Sequence, residues 1–211
     1  MSDGSNSTGK APLAMRPQGL AGRLFGVLME AINQPSYRSV LELLELGPNS
    51  DVLEIGFGAG RMIELLLGAT SGRVEGVDPT LTMVDVARRR RLVRRNSGRV
   101  GVCLGADQPL EFPQGSFDRV VALHSFQFWP EPQRTLRNVR ALLRPGGRLV
   151  LVLRDHSRTA NARLANPLSR APGVAEAARQ LLTDCGFAAS IVTSDGMRGL
   201  VAQLPARVGA R

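Results

Sequence analysis

The chain is short of lysine, histidine and aromatic residues, and each shortage narrows the reading. Lys10 is the only lysine among 27 basic residues, so the net charge of +9 is almost wholly arginine. Arginines are spread along most of the chain, which reads as a preference for arginine over lysine before it reads as a polyanion site. The one dense run, Arg88 to Arg91 with Arg94 and Arg95, falls on a predicted helix. Consecutive helical side chains point in different directions, so a solvated surface is the simpler expectation there and no specific nucleic-acid partner is expected. There are only two histidines and two cysteines. Cys103 and Cys185 lie far apart and match no metal-ligand spacing, so no metal is expected and both read as buried thiols. No apolar run approaches the roughly 18 residues needed to cross a bilayer. Residues 1–10 lack the apolar centre of a signal peptide, and a cytoplasmic protein is the expectation.

What is present is a globular composition. With 211 residues, 43 % of them hydrophobic, the chain can bury the core of one α/β domain. Residues 1–15, rich in Ser, Gly and Pro, read as a disordered tail, and 206–211 as a second tail. A single domain is expected over 16–205, with N-terminal helices over 16–46 and the core over 51–205. Leu20, Leu24, Val27, Leu28, Ala31 and Ile32 share one helical face, and that helix is expected to stop near Asn33, before Pro35. Ser36 can cap a second helix carrying Val40, Leu41, Leu43 and Leu44, stopped at Gly47-Pro48-Asn49.

Beyond that point short apolar runs alternate with helical stretches. Strands are predicted at 51–55, 73–77, 99–104, 117–123 and 148–153, and helices at 60–67, 80–95 and 131–143. Fully apolar strands alternating with helices mean a parallel sheet covered on both faces. A helix over 174–185 is then followed by strands at 188–193 and 199–204, joined by a turn at Ser194-Asp195-Gly196. So short a connection joins antiparallel neighbours, which places one antiparallel strand at or near the end of the sheet.

The strongest chemical signal is Asp51-Val52-Leu53-Glu54-Ile55-Gly56-Phe57-Gly58-Ala59-Gly60. A strand runs into three alternating glycines and a helix starts at once, a nucleotide-type site in which backbone N–H groups and the helix dipole face the ligand. The dinucleotide fingerprint needs glycine at the sixth place from Gly56, where Arg61 stands. Acidic Glu54 also suits a pyrophosphate poorly and suits an ammonium well. Both features point away from NAD and towards a cationic aminoacyl nucleoside. The second signal is Asp78, ending the second strand, where a carboxylate either accepts ribose hydroxyls or caps the helix that follows.

Four motifs in order carry a resemblance: Glu54-x-Gly56-x-Gly58-x-Gly60; Asp78 with Met83 downstream; Phe112-Pro113-x-Gly115-Ser116-Phe117-Asp118; and Leu143-Arg144-Pro145-Gly146-Gly147. Together they resemble the class I S-adenosylmethionine-dependent methyltransferases of the broad type 11 group, over about residues 36–205. The resemblance implies a Rossmann-like, mostly parallel seven-stranded sheet with one antiparallel strand, helices on both faces and an N-terminal helical cap. It implies S-adenosylmethionine as cofactor, with Glu54 and the Gly56, Phe57, Gly58 and Gly60 loop at its methionyl part and Asp78 at its ribose. Pro79 or Met83 would pack on the adenine, and Leu123 would line the site. Family members often carry Gly-Asp-Ala before the Phe-Pro stretch. Here the order is Gly105-Ala106-Asp107, so the adenine amino group is left to Asp107 shifted by one or to the Ala106 N–H. The Pro-Gly-Gly motif reads as a helix stop and is assigned no chemistry.

The fourth strand leads into His124-Ser125-Phe126-Gln127-Phe128-Trp129, which the strand-end rule turns towards the crevice. His124 is the candidate catalytic base; it can also orient the cofactor, or be a satisfied polar residue. Phe126, Phe128 and Trp129 either wall an apolar acceptor pocket or pack the start of the next helix. The N-terminal helix is expected to fold over the cofactor, with peripheral membrane contact as the other use of its apolar face, and Tyr37 to line the site. The function expected is methyl transfer to a small, lipophilic acceptor. The alternatives are a nucleic-acid methyltransferase, disfavoured because no Asn- or Asp-Pro-Pro-aromatic motif follows the fourth strand, and a non-catalytic cofactor-binding protein. The polar connection 155–173 offers no large acceptor-binding insertion.

Overall fold

A computed structural model describes residues 19–105, 111–153, 173–194 and 197–206. The expected tails, the Ala106–Asp107 pair, most of the 155–173 connection and the Asp195–Gly196 turn lie outside the described residues. The elements run α1 (Gly19–Leu44), β1 (Val52–Ile55), α2 (Arg61–Ala69), β2 (Val74–Asp78), α3 (Leu81–Arg88), α4 (Arg91–Arg95), β3 (Val100–Leu104), β4 (Phe117–Leu123), α5 (Pro132–Leu142), β5 (Leu143–Leu153), α6 (Val174–Asp184), β6 (Ala188–Ser194) and β7 (Met197–Gln203).

The seven strands form one sheet in the order β3-β2-β1-β4-β5-β7-β6. Ladders among β1 to β5 are parallel, whereas β7 is antiparallel to both β5 and β6. The topology reverses at β1, between β2 and β4, which opens a crevice at the carboxyl ends of those strands. Successive strand side chains face opposite sides of the sheet. Leu53, Val120, Leu149 and Leu151 accordingly join α5 and α6 in one core, while Val52, Val121, Val150 and Val152 join α1, α2 and α3 in another. Two cores on two faces explain why the strands are apolar throughout.

Three expectations need correction. The two N-terminal helices are one, because α1 runs through Pro35. Proline there removes one intrahelical hydrogen bond, but Tyr37, Val40 and Leu44 are buried against the sheet, and that packing outweighs the local penalty. The 80–95 helix is two, α3 and α4, because Arg90 adopts an extended backbone between them. The fifth strand starts at Leu143 rather than Arg148. Leu143 pairs with Phe117 and Arg148 with Arg119, so the Arg144–Gly147 turn is absorbed as a bulge within the strand.

The Arg-Pro-Gly-Gly motif also has a fastening role. Arg144 forks to Asp118 at 2.6 Å and Asp51 at 2.8 Å, tying the starts of β5, β4 and β1 together. The last carbonyls of α1 are capped by two arginines reaching from the sheet. Arg119 donates to Leu44 O and Glu45 O, and Arg148 donates to Leu43 O, a favourable placement of cations at a helix C-terminus. Much of the arginine in this chain therefore serves its own backbone. No described helix is long and apolar enough to cross a membrane.

Candidate functional site

The loop leaving β1 has Gly56, Gly58 and Gly60 all at positive φ, at 80°, 55° and 88°. Each serves a different purpose. A Cβ on Gly56 would collide with Ser125, whose hydroxyl donates to Ile55 O at 2.5 Å and so clasps β1 to the β4 exit. A Cβ on Gly60 would come within 2.8 Å of Ala87 Cβ on α3. Gly58 alone faces open space. The middle glycine is thus the position at which a ligand can approach the backbone.

Asp78 holds that loop from the side. Its Oδ2 accepts the Gly58 N–H at 2.8 Å and its Oδ1 accepts the Thr80 N–H at 2.9 Å. Asp78 thus braces the residue that precedes α3, and it stands at the strand end where its other oxygen holds the Gly58 N–H. Burial raises its pKa to about 6 against those two hydrogen bonds.

Glu54 is the electrostatic centre. By strand alternation it shares the face of Val52, beneath α1, among apolar neighbours. It is 2 % exposed, and its Oε2 has no hydrogen-bond partner among the described residues. Burial first, then the nearby charges of Asp78 and Glu30, raise its pKa to about 8, with Arg90 opposing. A buried carboxylate oxygen left without a donor is costly unless a cation or donor arrives to meet it. Tyr37 on α1 lies in the same field. Burial, then Glu30 and Glu54, push its phenol well above the ordinary tyrosine range, so it stays a hydrogen-bond donor.

The other expected residues divide. Leu123 is buried at the end of β4 and Pro79 is exposed at the end of β2, both at the carboxyl edge of the sheet. Phe57 and Met83 are core side chains. The Phe57 ring packs over Gly76 of β2, so only its backbone belongs to the loop, and Met83, on the buried face of α3, is 2 % exposed. Ala106 and Asp107 lie outside the described residues. His124 follows β4 with φ 55°, its N–H bonded to Val152 O and its carbonyl accepting from Gln127. A non-glycine residue in that left-handed region is held there by its surroundings, a condition that concentrates at functional sites. Phe126 and Trp129 pack edge to face in the core beside α5, which decides for helix-start packing over a pocket wall.

Sequence reading missed Glu30 and Arg90. Arg90 reaches Glu64 at 2.6 Å, Ala59 O at 2.5 Å and Glu30, joining α2, the glycine loop and α1. Only the helix break at Arg90 distinguishes it from its arginine neighbours, and one-dimensional periodicity does not show that break.

Comparison with known proteins bears on the family and the fold. Residues 53–151 match the family model described as a methyltransferase domain. The chain is 39 % identical over 119 residues to a 37.1 kDa protein in transposon TN4556 of Streptomyces fradiae, covering 55 % of this chain and 34 % of that one. It is 33 % identical over 120 residues to nocamycin O-methyltransferase of Saccharothrix syringae, covering 56 % and 42 %. The chain thus spans well under half the length of these relatives. A SAM-dependent methyltransferase from Aquifex aeolicus superposes with a TM-score of 0.72 at 18 % identity, covering 88 % of this chain and all of that one, a likeness of fold. In fold the chain is like this S-adenosylmethionine-dependent methyltransferase, and over residues 53–151 it is similar to the methyltransferase-domain family.

Proposed function

We propose that this domain catalyses transfer of the methyl group of S-adenosylmethionine to a nucleophilic O, N or C atom of a small acceptor. One observation carries the reading: the buried Oε2 of Glu54, without a hydrogen-bond partner among the described residues, on the strand that leads into the loop whose Gly58 faces open space. A cationic aminoacyl group with a flat backbone contact fits both features. Glu54 and the 56–60 loop take the methionyl part, Asp78 the ribose, and Pro79, exposed where Met83 is buried, the adenine. Leu123 closes the floor.

When bound, the cofactor supplies a methyl group already activated by its sulfonium. The protein is left to align an acceptor with it and to exclude water. His124, beside the loop at the end of β4, is the residue positioned to take a proton from a hydroxyl or amine acceptor. The named relative that modifies oxygen supports a small-molecule acceptor.

Calorimetry with S-adenosylmethionine, S-adenosylhomocysteine and NAD tests the cofactor. Binding of the first two without the third is expected, and tight NAD binding with no response to S-adenosylhomocysteine would overturn the reading. Labelled methyl donor incubated with fractionated cell extract then identifies the acceptor.

A further inference from the structure

Arg88 to Arg91 is a run of four arginines; Arg88 donates to Val102 O of β3, and Arg90 alone of the four makes ion pairs among the described residues. Arg89 and Arg91 are exposed, as are Arg94 and Arg95, and none makes an ion pair among the described residues. Arg90 sits at the break between α3 and α4, with an extended backbone, and its side chain reaches the glycine loop, α2 and α1. Its side chain is only 18 % exposed, and all three guanidinium nitrogens are engaged. Nε donates to Ala59 O of the glycine loop at 2.5 Å, Nη1 to Glu64 of α2 at 2.6 Å, and Nη2 to Glu30 of α1.

Resting on the cofactor reading above, we propose that Arg90 is the positioning residue that fastens the N-terminal helix to the glycine loop, so that two walls of the cofactor pocket assemble together. Three observations beyond the contacts support this. Arg90 Cδ would lie 3.4 Å from a Cβ on Gly60, so its stem packs directly on the third glycine. The loop is otherwise restrained from its opposite side, through Gly58 and Asp78. Releasing the Ala59 carbonyl would cut the one side-chain hydrogen bond among the described residues that ties this end of the turn to α1 and α2, while Asp78 still holds Gly58. Pro35 lies between Glu30 and Tyr37 in α1 and removes one intrahelical bond there. The half of α1 that precedes Pro35 therefore needs an anchor outside the helix, and Glu30 provides it.

The charges agree with the geometry. Glu30, Glu54, Glu64 and Asp78 converge on this corner, and Arg90 is the cation that opposes the rise of the Glu54 pKa. A lysine offers one nitrogen and cannot serve three acceptors in a planar fork.

The test uses R90K, E30Q, the double variant, and R89Q as an outward-facing control. Each is measured for thermal stability, for S-adenosylhomocysteine affinity by calorimetry, and for amide hydrogen exchange of α1 and residues 56–60 without ligand. R90K should lose affinity on the order of tenfold or more, since charged hydrogen bonds are broken. E30Q should lose several-fold and speed exchange in α1 ahead of Pro35. The double variant should be no worse than R90K alone, because both act through one contact. R89Q should match the wild type. Unchanged affinity and exchange in a folded R90K, or additive losses in the double variant, would overturn the proposal. Should R90K fail to fold, E30Q decides alone: normal affinity and normal α1 exchange in E30Q sink the proposal. If the wild type binds no S-adenosylhomocysteine, the cofactor reading falls, and hydrogen exchange still decides whether Arg90 couples α1 to the loop.

Discussion

Replacing Glu54 by glutamine separates its cost to the fold from its value to the ligand. In the free protein its pKa is about 8, so at pH 7 the carboxyl is roughly 90 % protonated. Meeting the ammonium of an aminoacyl ligand demands the ionised form. Binding at pH 7 should therefore release about 0.9 proton from Glu54. The ligand's own α-amino group, with a pKa of about 7.7–8.0, takes up about 0.1–0.2. Asp78, at about 6, adds no more than about 0.1 to the release. Net release of roughly 0.8 proton is expected at pH 7. At pH 9 Glu54 is already about 90 % ionised and the ligand amine mostly neutral, so the sign reverses to net uptake of roughly 0.8. Calorimetry of S-adenosylhomocysteine binding in buffers of different ionisation enthalpy counts these protons. Glu54→Gln should abolish the release at pH 7 and weaken binding. The same substitution should stabilise the free protein. A carboxyl whose folded pKa lies above its unfolded value of 4.5 contributes its full stability below that value and loses it as pH rises through about 8. At pH 7 that loss is about 3 kcal/mol, so the melting temperature of the glutamine variant should exceed that of the wild type at pH 7–8 and match it near pH 4. Net release near zero at pH 7, or equal release from the glutamine variant, would refute the placement of an ammonium at Glu54.

Asp78→Ala should weaken S-adenosylhomocysteine binding by roughly 1.5–3 kcal/mol and also lower thermal stability, since the Gly58 and Thr80 N–H groups lose their acceptor; unchanged affinity in the folded variant would leave Asp78 as a helix cap only. His124→Asn preserves the tolerance of a left-handed backbone, which His124→Ala does not, so the pair separates strain from chemistry. If His124 is the base, both should lower turnover by about a hundredfold with cofactor affinity nearly intact; full activity in the asparagine variant would leave alignment alone as the source of rate. Retention on nucleic acid through the exposed arginines should fade steeply between about 50 and 200 mM salt, and a sequence-selective complex at physiological salt would favour a nucleic-acid acceptor.

The sequence by itself determined the strand–helix alternation, the antiparallel final strand and the ligand class. The physical reason is that each is encoded locally, in apolar runs, in a turn too short for a crossover, and in glycines placed between a strand and a helix. Asp51, Asp118 and Arg144 were visible as parts of three separate motifs, but only the parallel register brings them to one fork. Other features were beyond local reading because distant packing decides them. Burial of Tyr37, Val40 and Leu44 carries α1 through a proline that would end an isolated helix. The core claims Phe126 and Trp129, which the strand-end rule had turned towards the crevice. Above all, the tertiary structure set the charge state of the site. Glu54 was readable as an acid beside a glycine loop; that one of its oxygens is buried without a donor among the described residues, and that Arg90 reaches back to the glycine loop, follows from which helices close over that face of the sheet.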